Sequence, residues 1–329
     1  MAIASSKPRR VGVLTSGGDA PGMNAAVRAV VRRAIHLGLE VVGVQRGYSG
    51  LLRGDFIDMT ARTVSNIIQR GGTILKTDRS KEFLEAPGRA KAARALKAHG
   101  VDGLVVIGGD GSFRGAQLLE AEHSLAVMGV PGTIDNDIFG TDSTIGFDTA
   151  VNNAVEAIDK IRDTAAAHGR LFLVEVMGRK SGFIALATGL AAGAEMIVIP
   201  EVPVDIDQIC SSLRAGLDRG KASSVVVVAE GQKAGGVFLI AEKIAQTGGP
   251  ECKVVVLGHL QRGGNPTARD RILASVLGAA AVDALLAGKI GFMVGMVNEK
   301  VALCPLAEAS TKKPTIDREA LELAKVLAI

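Results

Sequence analysis

The 329-residue chain has no tryptophan and one tyrosine, and aromatic residues make up only 3% of it. A surface that stacks nucleic-acid bases is therefore not expected, because such surfaces depend on aromatic platforms. Basic residues barely outnumber acidic ones, 38 against 34 for a net charge of +4, and no basic patch carries interleaved aromatics. Nucleic-acid partners are not expected. The cysteines are three, Cys210, Cys252 and Cys304, far apart and outside any CxxC or Cys/His cluster. That spacing points away from a disulfide framework and from a zinc site. No apolar run approaches the roughly 18 residues that span a bilayer. Met1–Arg10 is short and polar and lacks a signal core. A cytoplasmic protein with no membrane partner is expected.

What the chain does have is glycine, 41 residues of it spread among apolar runs, with 47% hydrophobic and 22% charged residues. Its length favours two subdomains. Val11–Leu14, Leu39–Val44, Leu104–Ile107, Leu125–Val130, Leu171–Val176, Met196–Ile199, Val225–Ala229 and Val254–Leu257 read as strands. Helical stretches are expected between them, at Met23 to about His36, around Lys91–Lys97, after Ser112, at Thr149–Thr164 and at Arg269–Ala287. Gly231–Gly236 and Thr247–Pro250 read as surface turns. The alternation predicts a doubly wound α/β architecture with mostly parallel sheets, whose ligands sit at strand carboxyl ends. A boundary is expected near residue 145, because the strongest phosphate-type motifs precede it.

Those motifs end strands. Gly17-Gly18-Asp19-Ala20-Pro21-Gly22 leads from a strand into a helix, whose free amides suit an anion. It has neither a P-loop lysine nor GxGxxG spacing. Gly108-Gly109-Asp110-Gly111-Ser112 offers glycines for close approach to phosphate and an acid suited to Mg²⁺. Asp110 is equally a residue that caps helices. Pro131-Gly132-Thr133-Ile134-Asp135-Asn136-Asp137 brings two more carboxylates. Period-two alternation places Asp135 and Asp137 on one side of an extended segment, one taking a hydroxyl proton while the other serves a metal. The competing reading is an Asx-rich turn. Met177-Gly178-Arg179, Glu230 and Gly258-His259-Leu260-Gln261-Arg262-Gly263-Gly264 end later strands, and a His and an Arg three apart suit a phosphate monoester. Together these are parts for metal-assisted phosphoryl transfer.

With GGDAPGMNA, GGDGS, PGTIDND, TIGFDTA, VEVMGR and GHLQRGG in order from Val11 to about Asn298, the sequence resembles the bacterial-type 6-phosphofructokinases. The resemblance implies two doubly wound α/β/α subdomains with the active site in the cleft between them. Residues 1–145 with about 260–310 would bind nucleotide, and 146–259 with about 311–329 the sugar phosphate. It implies transfer of the γ-phosphoryl of MgATP to the 1-hydroxyl of fructose 6-phosphate, the committed step of glycolysis. Asp135 matches the catalytic base, and Asp110, with Asp137 in support, the acids organising Mg²⁺. Gly18, Gly109, Gly111, Ser112, Arg79 and Ser80 match nucleotide positions, while Thr133 and Arg179 steady the transferring phosphoryl. Thr133, Ile134, Asp135, Met177, Gly178, Arg179, Glu230, His259, Leu260, Gln261 and Arg262 match the sugar-phosphate set, with Arg170 and Lys253 contributed from a neighbouring subunit. A homo-oligomer, usually a tetramer, follows. Arg28, Arg32, Arg162, Glu195, Arg219 and Lys221 match an effector site for ADP or phosphoenolpyruvate, although Arg28 and Arg32 also read as an ordinary i, i+4 helix pair.

Pyrophosphate is the alternative donor. In pyrophosphate-dependent relatives an acid usually stands at position 111 and a lysine at 132; here both are glycine, which leaves room for a nucleotide. Two other readings, a lipid- or NAD-kinase built on Gly-Gly-Asp-Gly and a silent sugar-phosphate-binding subunit, are opposed by GHLQRGG and MGR and by intact Asp110, Asp135 and Arg179 respectively. Ala61 and Ser223 depart from the family among its effector positions, and two departures fall near the substrates. Ser80 stands where well-known bacterial members carry Phe, and Lys253 stands where arginine is usual. Lysine keeps the charge but loses the bidentate fork. Lys253→Arg is therefore expected to lower the half-saturation concentration for fructose 6-phosphate in a saturation assay, and an unchanged value would discard the idea.

Overall fold

The computed structural model describes residues 9–168, 171–220, 223–231, 235–249 and 251–328. In chain order the elements are β1 (Arg10–Thr15), α1 (Met23–His36), β2 (Glu40–Val44), α2 (Gly47–Arg53), β3 (Phe56–Met59), α3 (Ala86–Ala98), β4 (Gly103–Gly108), α4 (Asp110–His123) and β5 (Ala126–Pro131). They continue with α5 (Phe147–His168), β6 (Leu171–Val176), α6 (Phe183–Ala191), β7 (Met196–Val198), α7 (Ile206–Asp218), β8 (Ser224–Ala229), α8 (Gly236–Gln246) and β9 (Cys252–Val256). Last come α9 (Ala268–Leu286), β10 (Phe292–Val297), β11 (Lys300–Pro305), α10 (Leu306–Ala309) and α11 (Arg318–Leu327). No helix among the described residues is long and apolar enough to cross a membrane.

The strands form two sheets. One has the order β11-β10-β5-β4-β1-β2-β3, parallel except for the β10/β11 and β2/β3 pairings. The other, β7-β8-β6-β9, is parallel throughout. The chain is thus α/β with mostly parallel sheets. β4 and β8 are buried along their whole length, as strands covered on both faces must be, and this is why they read as unbroken apolar runs.

The chain divides into two compact units. The first comprises Met1–Ile134, Ile138–Asp148 and Arg262–Pro314, and the second Asp135–Asp137, Thr149–Gln261 and Thr315–Ile329. The first unit's core gathers Leu14, Val42, Leu104, Val106, Phe113 and Leu306, among others. The second is built on Leu173, Val226, Val228, Ile209, Leu213 and Ile240.

In the first unit Arg89 is 6% exposed. Its Nε and Nη2 each donate to a Glu122 carboxylate oxygen at 2.7 Å, and its Nη1 donates to the carbonyls of Phe83 and Leu84. The Arg89 hydrogen bond holds the Glu122 carboxyl below its ordinary value of 4.5. Replacing Glu122 by Gln leaves a buried guanidinium underpaired. A fully buried pair broken in this way loses roughly 3–5 kcal/mol. Glu122 keeps some water and Arg89 keeps its carbonyls, so about 2 kcal/mol is expected. A carboxylate depressed on folding stabilises above its unfolded value and loses that effect as pH falls through the folded one. The difference between wild type and Glu122→Gln in urea unfolding should therefore be full at pH 7 and shrink as pH drops below 4.5.

Candidate functional site

Three strand-end loops of the first unit converge on glycine chemistry. Between β1 and α1 the chain turns at Gly17 (φ 90°) and again at Gly22 (φ 104°). Arg262 closes over this loop: its Nη1 donates to the Asp19 carbonyl at 2.8 Å, and a Cβ at Gly18 would lie 2.8 Å from the same nitrogen. Thr77 Oγ1 donates to the Gly17 carbonyl at 2.6 Å, bringing the Arg79 segment alongside. The Arg79 side chain is exposed, and its amide donates to Asp78 Oδ1 at 2.8 Å. Ser80 Oγ accepts from the Phe83 amide at 3.2 Å, which gives it a local turn-capping role.

The second loop joins β4 to α4. A side chain at Gly108 would meet the Ser16 carbonyl at 2.5 Å, so the close approach of two strand ends requires glycine there. Gly109 precedes the helix and Asp110 opens it. Asp110 Oδ1 accepts from the Gly111 amide at 2.7 Å, and Oδ2 lies 3.1 Å from Lys313 Nζ. A Cβ on Gly111 would meet nothing within 4 Å, so space opens beside the helix start. Ser112 is buried, and its carbonyl accepts from Tyr48 Oη at 2.5 Å; burial pushes the Tyr48 hydroxyl well above its usual pKa. The third loop leaves β5 at Pro131. Gly132 bridges to Ile145, Thr133 donates its amide to the Ile145 carbonyl at 3.1 Å, and Thr144 Oγ1 donates to the Thr133 carbonyl at 2.6 Å.

Beyond Ile134 the chain enters the second unit for three residues. The extended segment expected here does not form. The backbone bends at Ile134–Asp135 and Asn136 takes φ 50°. Asn tolerates that left-handed conformation, so a bend replaces the strand alternation. Asp135 is 2% exposed whereas Asp137 is half-buried. Ser181 Oγ lies 3.0 Å from the carbonyl oxygens of both Asp135 and Gly178, which pins the Asp135 backbone to the turn after β6. That turn is tight: Gly178 has φ 140° and Arg179 φ 55°. The Arg179 amide donates to Glu230 Oε1 at 2.7 Å. Buried Gln261 accepts from the Met177 amide at 2.7 Å and donates to the Ala150 carbonyl at 3.3 Å. His259 and Leu260 are exposed beside it. On β9, the edge strand, Lys253 Nζ pairs with Glu251 Oε1 at 2.5 Å.

The sequence matches the family model described as phosphofructokinase over residues 10–285. The chain belongs to the phosphofructokinase family. It is 60% identical to ATP-dependent 6-phosphofructokinase 1 of Thermus thermophilus over 321 residues, covering 98% of this chain and all of the relative. It is 56% identical to ATP-dependent 6-phosphofructokinase of Halalkalibacterium halodurans, with the same coverage. Among solved structures, phosphofructokinase from Saccharomyces cerevisiae superposes with a TM-score of 0.87 at 39% identity; the match takes in 96% of this chain but 46% of the yeast one.

For a phosphofructokinase, the expected effector residues divide between the units. Arg28 and Arg32 lie on α1 of the first, and the Arg28 guanidinium is pushed below its usual value by burial and by neighbouring Arg32. In the second, Arg162 donates to the carbonyls of Ala192 and Gly193 and stands 3.8 Å from Glu195. Glu195 and Arg219 line one cavity of about 370 Å³ with Ile197, Val204 and Leu321. Arg170 and Lys221 fall outside the described residues. Three further residues, Asn24, Ser181 and Lys313, hold these loops without standing out among the sequence motifs. Buried Asn24 donates to the Arg70 and Gly71 carbonyls and accepts from the Ile74 amide, fastening the loop before Arg79. Asn24 does lie within the GGDAPGMNA block; the other two have no local signature.

Proposed function

We propose that this phosphofructokinase transfers the γ-phosphoryl of MgATP to the 1-hydroxyl of fructose 6-phosphate, giving fructose 1,6-bisphosphate and ADP. The observation that carries the reading is the likeness to the Thermus thermophilus relative across its full length, since that relative's name specifies an ATP-dependent 6-phosphofructokinase. The open space at Gly111 supports a nucleotide rather than pyrophosphate.

The roles follow the units. The first unit carries the donor set: the amides around Gly18 and Gly109–Ser112 hold phosphates at helix starts, and Arg79 and Thr133 disperse charge on the transferring group. The second carries the acceptor set: Asp135 takes the hydroxyl proton at its carboxylate, and Arg179, Glu230 and His259 orient the sugar phosphate. Carboxylate oxygens such as those of Asp110 and Asp137 fit Mg²⁺, a hard cation held by one or two carboxylates plus substrate phosphates. These two acids would hold it, and the ion would supply charge neutralisation to the transferring polyphosphate. The subunits form a homotetramer in the cytoplasm, with Lys253 and Arg170 serving a neighbour's sugar site and ADP or phosphoenolpyruvate acting at the effector residues. Val256 and Leu260, 47% and 75% exposed near the β9 edge, supply apolar surface for such an association.

The test is formation of fructose 1,6-bisphosphate from fructose 6-phosphate and Mg²⁺ with ATP and pyrophosphate in parallel. Turnover with ATP and none with pyrophosphate is expected. Turnover with pyrophosphate alone would reverse the donor assignment, and none with either would reject the enzyme reading.

A further inference from the structure

We propose that Lys313 is a positioning residue of the donor site, standing in for the cation at Asp110 until the metal–nucleotide complex arrives and then turning to the polyphosphate. The inference rests on the donor-site reading above and deepens it. Lys313 reaches Asp110 across 203 positions of sequence, with Nζ 3.1 Å from Oδ2. Asp110 opens α4, where the helix dipole favours negative charge, and its other oxygen is held by the Gly111 amide. Lys313 meets the second oxygen of this carboxylate.

Several features suit an exchange rather than a permanent tie. Both side chains are accessible, at 49% and 33%, and an ion pair so exposed is worth roughly 0–1 kcal/mol, little enough for a divalent ion to displace. Lysine's ammonium is a compact point charge on a flexible stem, so it can leave one oxygen and reach others nearby without a fixed geometry. Adjacent Lys312 turns elsewhere, pairing with Glu308 at 2.6 Å and lying over the Phe139 ring at 5.2 Å. ATP carrying Mg²⁺ has excess negative charge, so the released ammonium has an anionic partner beside the helix start.

The proposal predicts opposite signs for metal and for nucleotide. In Lys313→Met, calorimetry with Mn²⁺ alone should show affinity tightened about threefold or more, because the competitor for Asp110 is gone. The KM for MgATP should rise about five- to tenfold, with kcat within about twofold. Lys313→Arg should restore both. Lys312→Met removes a charge one residue away without touching Asp110, and should change Mn²⁺ affinity less than about twofold. If Lys313→Met moves both affinities the same way, moves neither, or matches Lys312→Met, the proposal is overturned. Asp110→Asn separates the levels. If it weakens Mn²⁺ and MgATP binding while Lys313→Met is silent, only the role of Lys313 fails; if it alters neither, the assignment of Asp110 falls first.

Discussion

Asp135→Asn should lower kcat about a thousandfold while leaving the KM for fructose 6-phosphate within about threefold. Positioned general bases contribute roughly 10²–10⁴ in rate, and a carboxamide of nearly the same shape cannot take up the proton. Asp135 is 2% exposed and its backbone is fixed by Ser181, so the substitution changes chemistry at a held position and not the fold. A loss confined to kcat and kcat/KM together is the signature of an interaction made in the transition state. Steady-state kinetics on a variant with unaltered thermal unfolding decides it. Residual activity within about tenfold of wild type would remove Asp135 from the role of base.

The second large effect is expected from a residue without a side chain. A Cβ on Gly231 would come within 1.6 Å of the Arg179 carbonyl oxygen and 3.0 Å of the Lys180 Cα. Backbone cannot yield as a flexible side chain does, so Gly231→Ala must displace the Arg179 turn. That turn is already constrained by φ 55° at Arg179 and by the Glu230 carboxylate on its amide. We expect about 100-fold lower kcat, with a stability loss in the roughly 1–3 kcal/mol range of overpacking. Because the change acts through Arg179, it should add little to the kcat loss of Arg179→Ala, as coupled neighbours do in a double-mutant cycle. Full additivity would mean that Gly231 serves something other than this turn.

Much of this was legible beforehand, for reasons that differ by element. β4, β6 and β8 are apolar runs ended by glycine or charge, and α1 starts and stops where its apolar period does. The β10/β11 hairpin was not foreseen. Its two-residue turn is Asn298-Glu299 with φ 49° and 61°, and glutamate in place of the usual glycine hides the hairpin signal. The glycine loops of the site announced themselves because backbone approach demands glycine locally. Ser181 and Lys313 did not, since one serves a carbonyl 46 residues away and the other a carboxylate 203 residues away. The bend at Asn136 is one of two readings the sequence leaves open, because Asp-Asn-Asp satisfies both turn chemistry and strand alternation.

The division of the chain also bears on its synthesis. The smaller sheet is closed by Val256, before the chain has produced β10, which pairs with β5 in the larger sheet, and β11, which pairs with β10. During translation, which proceeds from the N-terminus, the sheet begun first is therefore the last to be completed. Until Val297 has emerged from the ribosome, β5 is an open edge that a neighbouring nascent chain can pair with.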